Sequence, residues 1–314
     1  KGVEAGKGSD TINNTKDMTA AATSTAGALN VSIGLFQYEA KTDGDASTKA
    51  IANATGVLGG EGDDQVTNAA TGTITATSNA TASTNNVSVE IVGGVKSNSS
   101  TTAYAFSTGI DGGNGKDTIT NDGTITVKAL SEVDAVGVDV KFLGIPTKLA
   151  EWFGAKLGDA KTGAQSTAKG IDGGEGNDTI TNSGTIDVHA KAEADSVDVA
   201  TSITVTTFGG GGAPQVSAPS GNLQVQSAVQ AADSAPQTPS AGTENSGEGN
   251  EITDIGTLAR TYATGINGGA GNDTITNNYK ILVKAESEAD SVSVNPSISF
   301  SKGGWKNFIS GTAL

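Results

Sequence analysis

The residues of this chain best suited to chemistry are its aspartates, and five of them end nearly the same short phrase. In its fullest form the phrase reads Gly173-Gly174-Glu175-Gly176-Asn177-Asp178-Thr179-Ile180. It returns at residues 59–66, 112–119 and 268–275, and in weaker form at 5–12, where the first glycine is missing. Glycine accepts positive φ, so the carbonyl oxygens of such a turn can converge on one point. The aspartate adds a hard anionic oxygen. Calcium takes roughly six to eight oxygen ligands and mixes carboxylates with carbonyls, so it is the ion this residue set suits.

Positioning these turns requires a repeat architecture. Aligned on Asp10, Asp64, Asp117, Asp178 and Asp273, the copies lie 54, 53, 61 and 95 residues apart. After each aspartate comes a short strand such as Thr118-Ile119-Thr120-Asn121, then a turn, then a long segment alternating apolar and polar residues. Period two with β-branched residues marks a half-buried strand. A return segment rich in Ala and Thr leads to Gly-Ile and the next glycine turn. One such unit cannot bury its apolar face alone, but stacked units pair every strand with its counterpart at about 4.8 Å. The expected fold is therefore all-β: a parallel β-solenoid, like a β-helix or β-roll, with wide turns of about 53 or more residues. Units made of two or three narrow turns are the alternative, and in them successive glycine turns would not touch. In the wide-turn form the aspartates share a column, where like charges repel unless a cation sits between turns.

The repeats divide the chain at about 1–55, 56–108, 109–169, 170–264 and 265–314. Within each long strand the apolar parity slips by one residue, as between Ala194 and Val197 or Ala289 and Val292. A slip throws apolar side chains into solvent unless the strand bulges or bends, so a bend is expected there in every unit. Excursions follow. Residues 146–160 read as a short helix with Leu149, Trp152, Phe153 and Leu157 on one face, and Trp305, Phe308 and Ile309 suggest another. The stretch at about 209–256, with four glycines in a row and abundant Pro, Ser and Gln, reads as a flexible insertion. The chain opens inside a repeat and stops soon after another, as a segment of a longer chain would.

The glycine turn resembles the Gly-Gly-x-Gly-x-Asp nonapeptide of the RTX (haemolysin-type) proteins. That resemblance implies calcium held between adjacent turns by Asp64 with Gly59, Gly60 and Gly62; by Asp117 with Gly112, Gly113 and Gly115; by Asp178 with Gly173, Gly174 and Gly176; and by Asp273 with Gly268, Gly269 and Gly271. Asp10, with Gly6 and Gly8, is the weaker match. The family runs its nonapeptides in tandem, whereas here each stands alone in a long unit.

Composition narrows the function. The net charge of −15 disfavours nucleic acid and favours a cation or a solvated surface. Only 4% of residues are aromatic, which disfavours a sugar-binding groove, and no run reaches the ~20 apolar residues of a membrane helix. There is no cysteine. His189, the lone histidine, occupies a strand position that is Lys in sister units and reads as an exposed strand residue. Asp111 and Asp172 read as solvated, and Glu132/Asp134, Glu193/Asp195 and Glu288/Asp290 as a charged outer face. The expected protein is not an enzyme. It is a calcium-stabilised extracellular or cell-surface structural element (filament, surface layer or adhesin stalk) that self-associates through its solenoid ends. The alternative is the secretion and folding module of a secreted enzyme or toxin.

Overall fold

The computed structural model describes residues 1–35, 43–91, 96–143, 160–206, 223–230, 256–294 and 297–301. Among them every regular element is a β-strand, and all the pairing is parallel. Three sheets run the length of a β-solenoid. The return sheet stacks β1 (Val3–Lys7), β4 (Asp43–Glu61), β7 (Lys96–Asn114), β10 (Ala160–Asp172) and β14 (Thr257–Asn267). The short sheet stacks β2 (Thr11–Asn14), β5 (Gln65–Asn68), β8 (Thr118–Asn121), β11 (Thr179–Asn182) and β15 (Thr274–Asn277). The long sheet stacks β3 (Asp17–Leu35), β6 (Thr73–Ile91), β9 (Thr124–Leu143), β12 (Thr185–Thr206) and β16 (Ile281–Val294), with β17 (Ser297–Ser301) also on β12. Each repeat is thus one wide coil, and the glycine turns lie directly above one another.

Register is fixed by matched apolar columns where the three sheets meet. Val57, Ile110, Ile171 and Ile266 stack in the return sheet. Val66, Ile119 and Ile180 stack in the short sheet, and Ile74, Ile125 and Ile186 in the long one. All ten are at most 1% exposed and form one cluster. Burying each aliphatic side chain contributes about 1.5–3 kcal/mol, and slipping any coil by one residue would turn its set outward. The Gly-Ile step has a packing reason: a Cβ on Gly109 would lie 2.5 Å from both the Gly170 carbonyl oxygen and Ile125 Cγ2. Beyond this corner the sheets close on alanines, with serine pairs bridging the interior at Ser78–Ser107 (2.8 Å) and Ser131–Ser166 (2.9 Å).

Two expectations are corrected. The long strands do not bulge where their apolar parity slips. Pairing continues residue for residue from Asp17↔Thr73 to Leu35↔Ile91, and the same holds between β6 and β9 and between β9 and β12. The inner face keeps its parity, so beyond the slip it becomes polar while the apolar residues lie outside: Thr84, Asn86 and Ser88 are buried, but Leu29, Val31 and Ile33 are 71%, 57% and 64% exposed. Hydroxyl pairs close the interior here, Thr48 with Thr84 and Ser196 with Thr257, each at 2.7 Å. Second, the insertion at 209–256 is not wholly irregular. Its residues 223–230 form β13 (Leu223–Gln230), which pairs in parallel with β14 at the edge of the return sheet. The helical segments expected at 146–160 and around Trp305 fall outside the described residues, save Ala160, which begins β10.

Candidate functional site

The glycine–aspartate corner is built by a division of labour among its glycines. The second and third glycines hold positive φ in every copy, including Gly6 and Gly8 at 106° and 110° and Gly174 and Gly176 at 96° and 142°. A side chain there would be strained, and at every copy but the first, where Gly6 and Gly8 face open space, it would also overlap the backbone of the preceding coil. The first glycine serves a different end. A Cβ on Gly59, Gly112, Gly173 or Gly268 would come 2.7–2.8 Å from Oδ2 of its own turn's aspartate, and on the first three it would also strike a backbone carbonyl of the next coil. The bare Cα lets that carboxylate fold into the turn.

Each aspartate locks two coils together. Oδ1 of Asp64 accepts the backbone N–H of Asp10 at 2.8 Å, and the same bond joins Asp64 to Asp117, Asp117 to Asp178 and Asp178 to Asp273. A second ladder, which the sequence reading missed, runs four residues further along. Asn14 Nδ2 donates to Asn68 Oδ1, Asn68 to Asn121, Asn121 to Asn182 and Asn182 to Asn277, at 2.7–2.8 Å. Its signal was present in the sequence: each short strand ends in asparagine.

The second carboxylate oxygen is the unusual feature. Oδ2 of Asp10, Asp64, Asp117 and Asp178 is buried and has no hydrogen-bond partner. Burial pushes the Asp178 carboxyl up to about 7, against the bond from the Asp117 N–H, and the neighbouring charges of Asp117, Asp273 and Asp172 add to the rise. Asp117 is raised for the same leading reason. The column therefore asks for a proton or a cation. As donor chemistry it fits calcium: a hard oxygen without a partner, beside turn carbonyls. Several of those carbonyls already bind across coils, Gly113 to the Glu175 N–H and Gly174 to the Ala270 N–H, each at 2.8 Å. A carbonyl oxygen has a second lone pair, so this leaves acceptor capacity. Among the described residues, however, no three Asp, Glu or His side chains gather to hold a metal. A cation here would lie between successive aspartates and draw most of its ligands from the backbone and water.

The other acidic residues divide. Asp111 and Asp172 are not solvated as expected. Burial raises Asp111 to about 6, with Asp172 adding to the shift. Asp172 itself is held by Lys169 Nζ at 2.6 Å and Asn267 Nδ2 at 2.8 Å. Glu132/Asp134, Glu193/Asp195 and Glu288/Asp290 stack in register on the outer side of the long sheet. His189 stacks there with Lys128 and Lys284, and its Nε2 lies 2.8 Å from Glu286 Oε2, as part of a surface charge ladder.

No protein-family model matches this sequence, and no curated protein or solved structure is similar to it.

Proposed function

We propose that this chain is a calcium-stabilised extracellular structural element: a length of surface filament, surface layer or adhesin stalk with turns of RTX type. The observation that carries this reading is the aspartate column, one carboxylate per coil from Asp10 to Asp273, in which four Oδ2 atoms are buried and unpartnered. Calcium between coils would neutralise that column and convert repulsion into cross-linking. Asp64, Asp117, Asp178 and Asp273 supply the carboxylates, and the carbonyls of glycine pairs such as Gly113/Gly115 and Gly174/Gly176 stand beside them. Extracellular calcium modules work at about 10⁻⁴–10⁻³ M, a level met outside cells, which ties the stiffening to export.

The polarity of the ladder also suits end-on joining. Each coil donates its aspartate N–H to the next, and the same bond could join Asp273 to Asp10 of another copy. β13 stands at the edge of the return sheet where a further coil would add, so such joining displaces it.

The test is calcium titration of the stripped protein by calorimetry and thermal unfolding, with magnesium as control. Saturation to 100 times Kd should stabilise by about 2.7 kcal/mol per site. Asp117→Asn with Asp178→Asn keeps the Oδ1 acceptors and should abolish most of the gain. An unfolding midpoint identical in calcium and chelator would overturn the calcium reading. A chain that stays monomeric at high concentration with calcium would overturn end-on assembly.

A further inference from the structure

The outer face of the long sheet beyond the parity slip is an apolar band without a partner among the described residues. Three columns make it. Leu29, Asn85, Val136, Val197 and Val292 form the first; Val31, Val87, Val138, Val199 and Val294 the second; Ile33, Val89, Val140 and Thr201 the third. Only Asn85 and Thr201 interrupt them. Val136, Val197 and Val292 are 38%, 37% and 45% exposed, and the first coil's residues more so.

The arrangement is costly if nothing covers it. Turning valine inward contributes about 1.5–3 kcal/mol, whereas a buried hydroxyl pair such as Thr48–Thr84 nets about 0.5–1.5. Single exposed aliphatics are ordinary, but an ordered band is not. With columns two residues apart and coils at about 4.8 Å, the band spans roughly 20 by 24 Å, about 500 Å². That exceeds half of the ~800 Å² each partner contributes to a standard interface.

We infer that this band is a lateral docking face for a second copy of the chain, packed sheet on sheet. Two features select that occupant. The band is uncharged, with ridges at the coil period, and an identical face repeats the same period, so valine rows can interdigitate along their whole height. The flanking charge then fixes the geometry. Glu132/Asp134, Glu193/Asp195 and Glu288/Asp290 border the band on one side only. A twofold axis along the strands would set these acids against their own copies. A twofold along the solenoid axis, through the column of Val138, lays coil against like coil and carries the acids to opposite flanks. The interface is isologous and closes as a dimer. It uses neither the calcium column nor the solenoid ends, so it stands or falls apart from the function proposed above.

The experiment is sedimentation of the whole chain across concentrations, with and without calcium, paired with cysteine cross-linking. The protein has no cysteine, so Val138→Cys reports alone. Concentration-dependent dimers should form, and a bismaleimide with a spacer of about 10 Å, matched to the distance between packed sheets, should cross-link Val138→Cys to a covalent dimer in high yield. Leu29→Lys with Val31→Lys and Ile33→Lys, or Val136→Lys with Val197→Lys and Val292→Lys, should weaken association at least tenfold with an unchanged β spectrum. Thr19→Lys with Thr23→Lys, on the same face of the first coil but outside the band, should leave it intact. A wild-type chain that is monomeric at every concentration overturns the inference, as when the chain's own excursions cover the band. So does association that the band lysines leave unchanged, or a Val138→Cys variant that does not cross-link.

Discussion

The corner of the solenoid and the far half of its long strands are built by opposite rules from one continuous backbone. At the corner, isoleucines point inward, the glycines stacked between coils leave no room for a side chain, and aspartate and asparagine ladders tie each coil to the next. Past the slip, polar side chains face in (hydroxyls, amides and the carboxyls of Asp139 and Asp198) and valines face out, with no change in pairing. A parallel ladder therefore does not dictate which face is the core. Side-chain parity decides that, and here it gives one half of the coil to folding and frees the outer side of the other for contact.

The largest effects are expected from deletions at the corner. Ile119→Ala opens a cavity between Val66 and Ile180 and should cost about 2–5 kcal/mol by urea unfolding. Asn121→Ala leaves the Asn68 donor and the Asn182 acceptor unmatched at a fully buried step, for about 1–3 kcal/mol in the same assay. A further effect comes from pH in the presence of chelator. Asp178 titrates at about 7 when folded and at about 3.9 when unfolded, so the folded state binds the proton more tightly. Its contribution is complete below the unfolded value and is lost as pH rises through 7. Thermal midpoints should fall between about pH 4 and 7, and Asp178→Asn should flatten the trend. Smallest of all, Val197→Thr on the outer band should change monomer stability by no more than about 0.5 kcal/mol, measured at concentrations too low for association.

Much of the corner was legible in the sequence. The glycine turns repeat at positions that demand positive φ, and the period-two alternation announced stacked strands. The slip was also visible, but its meaning was not. Reading Val197 and Val292 as inward residues forces a bend, because sequence parity alone assumes that apolar means buried. Only the unbroken alternation of burial, which keeps Thr84, Asn86 and Ser88 inside in step with Ile74 and Ala82, shows that the inner face keeps its parity and the polarity inverts. β13 was hidden because its Leu223-Gln-Val-Gln alternation sits in a stretch whose overall composition is that of a linker. Asp111 and Asp172 looked solvated because aspartate beside glycine is common in exposed turns. Their burial follows from stacking, which places one coil's acid over another's.

The most direct measurement is hydrogen exchange resolved along the chain, in chelator and in calcium. Exchange should be slowest at the Val66, Ile119 and Ile180 columns and faster in the long strands past Val136 and Val197, with added protection in calcium centred on Asp64, Asp117 and Asp178. Even protection across both halves, unchanged by calcium, would contradict a calcium-locked corner joined to a looser far half.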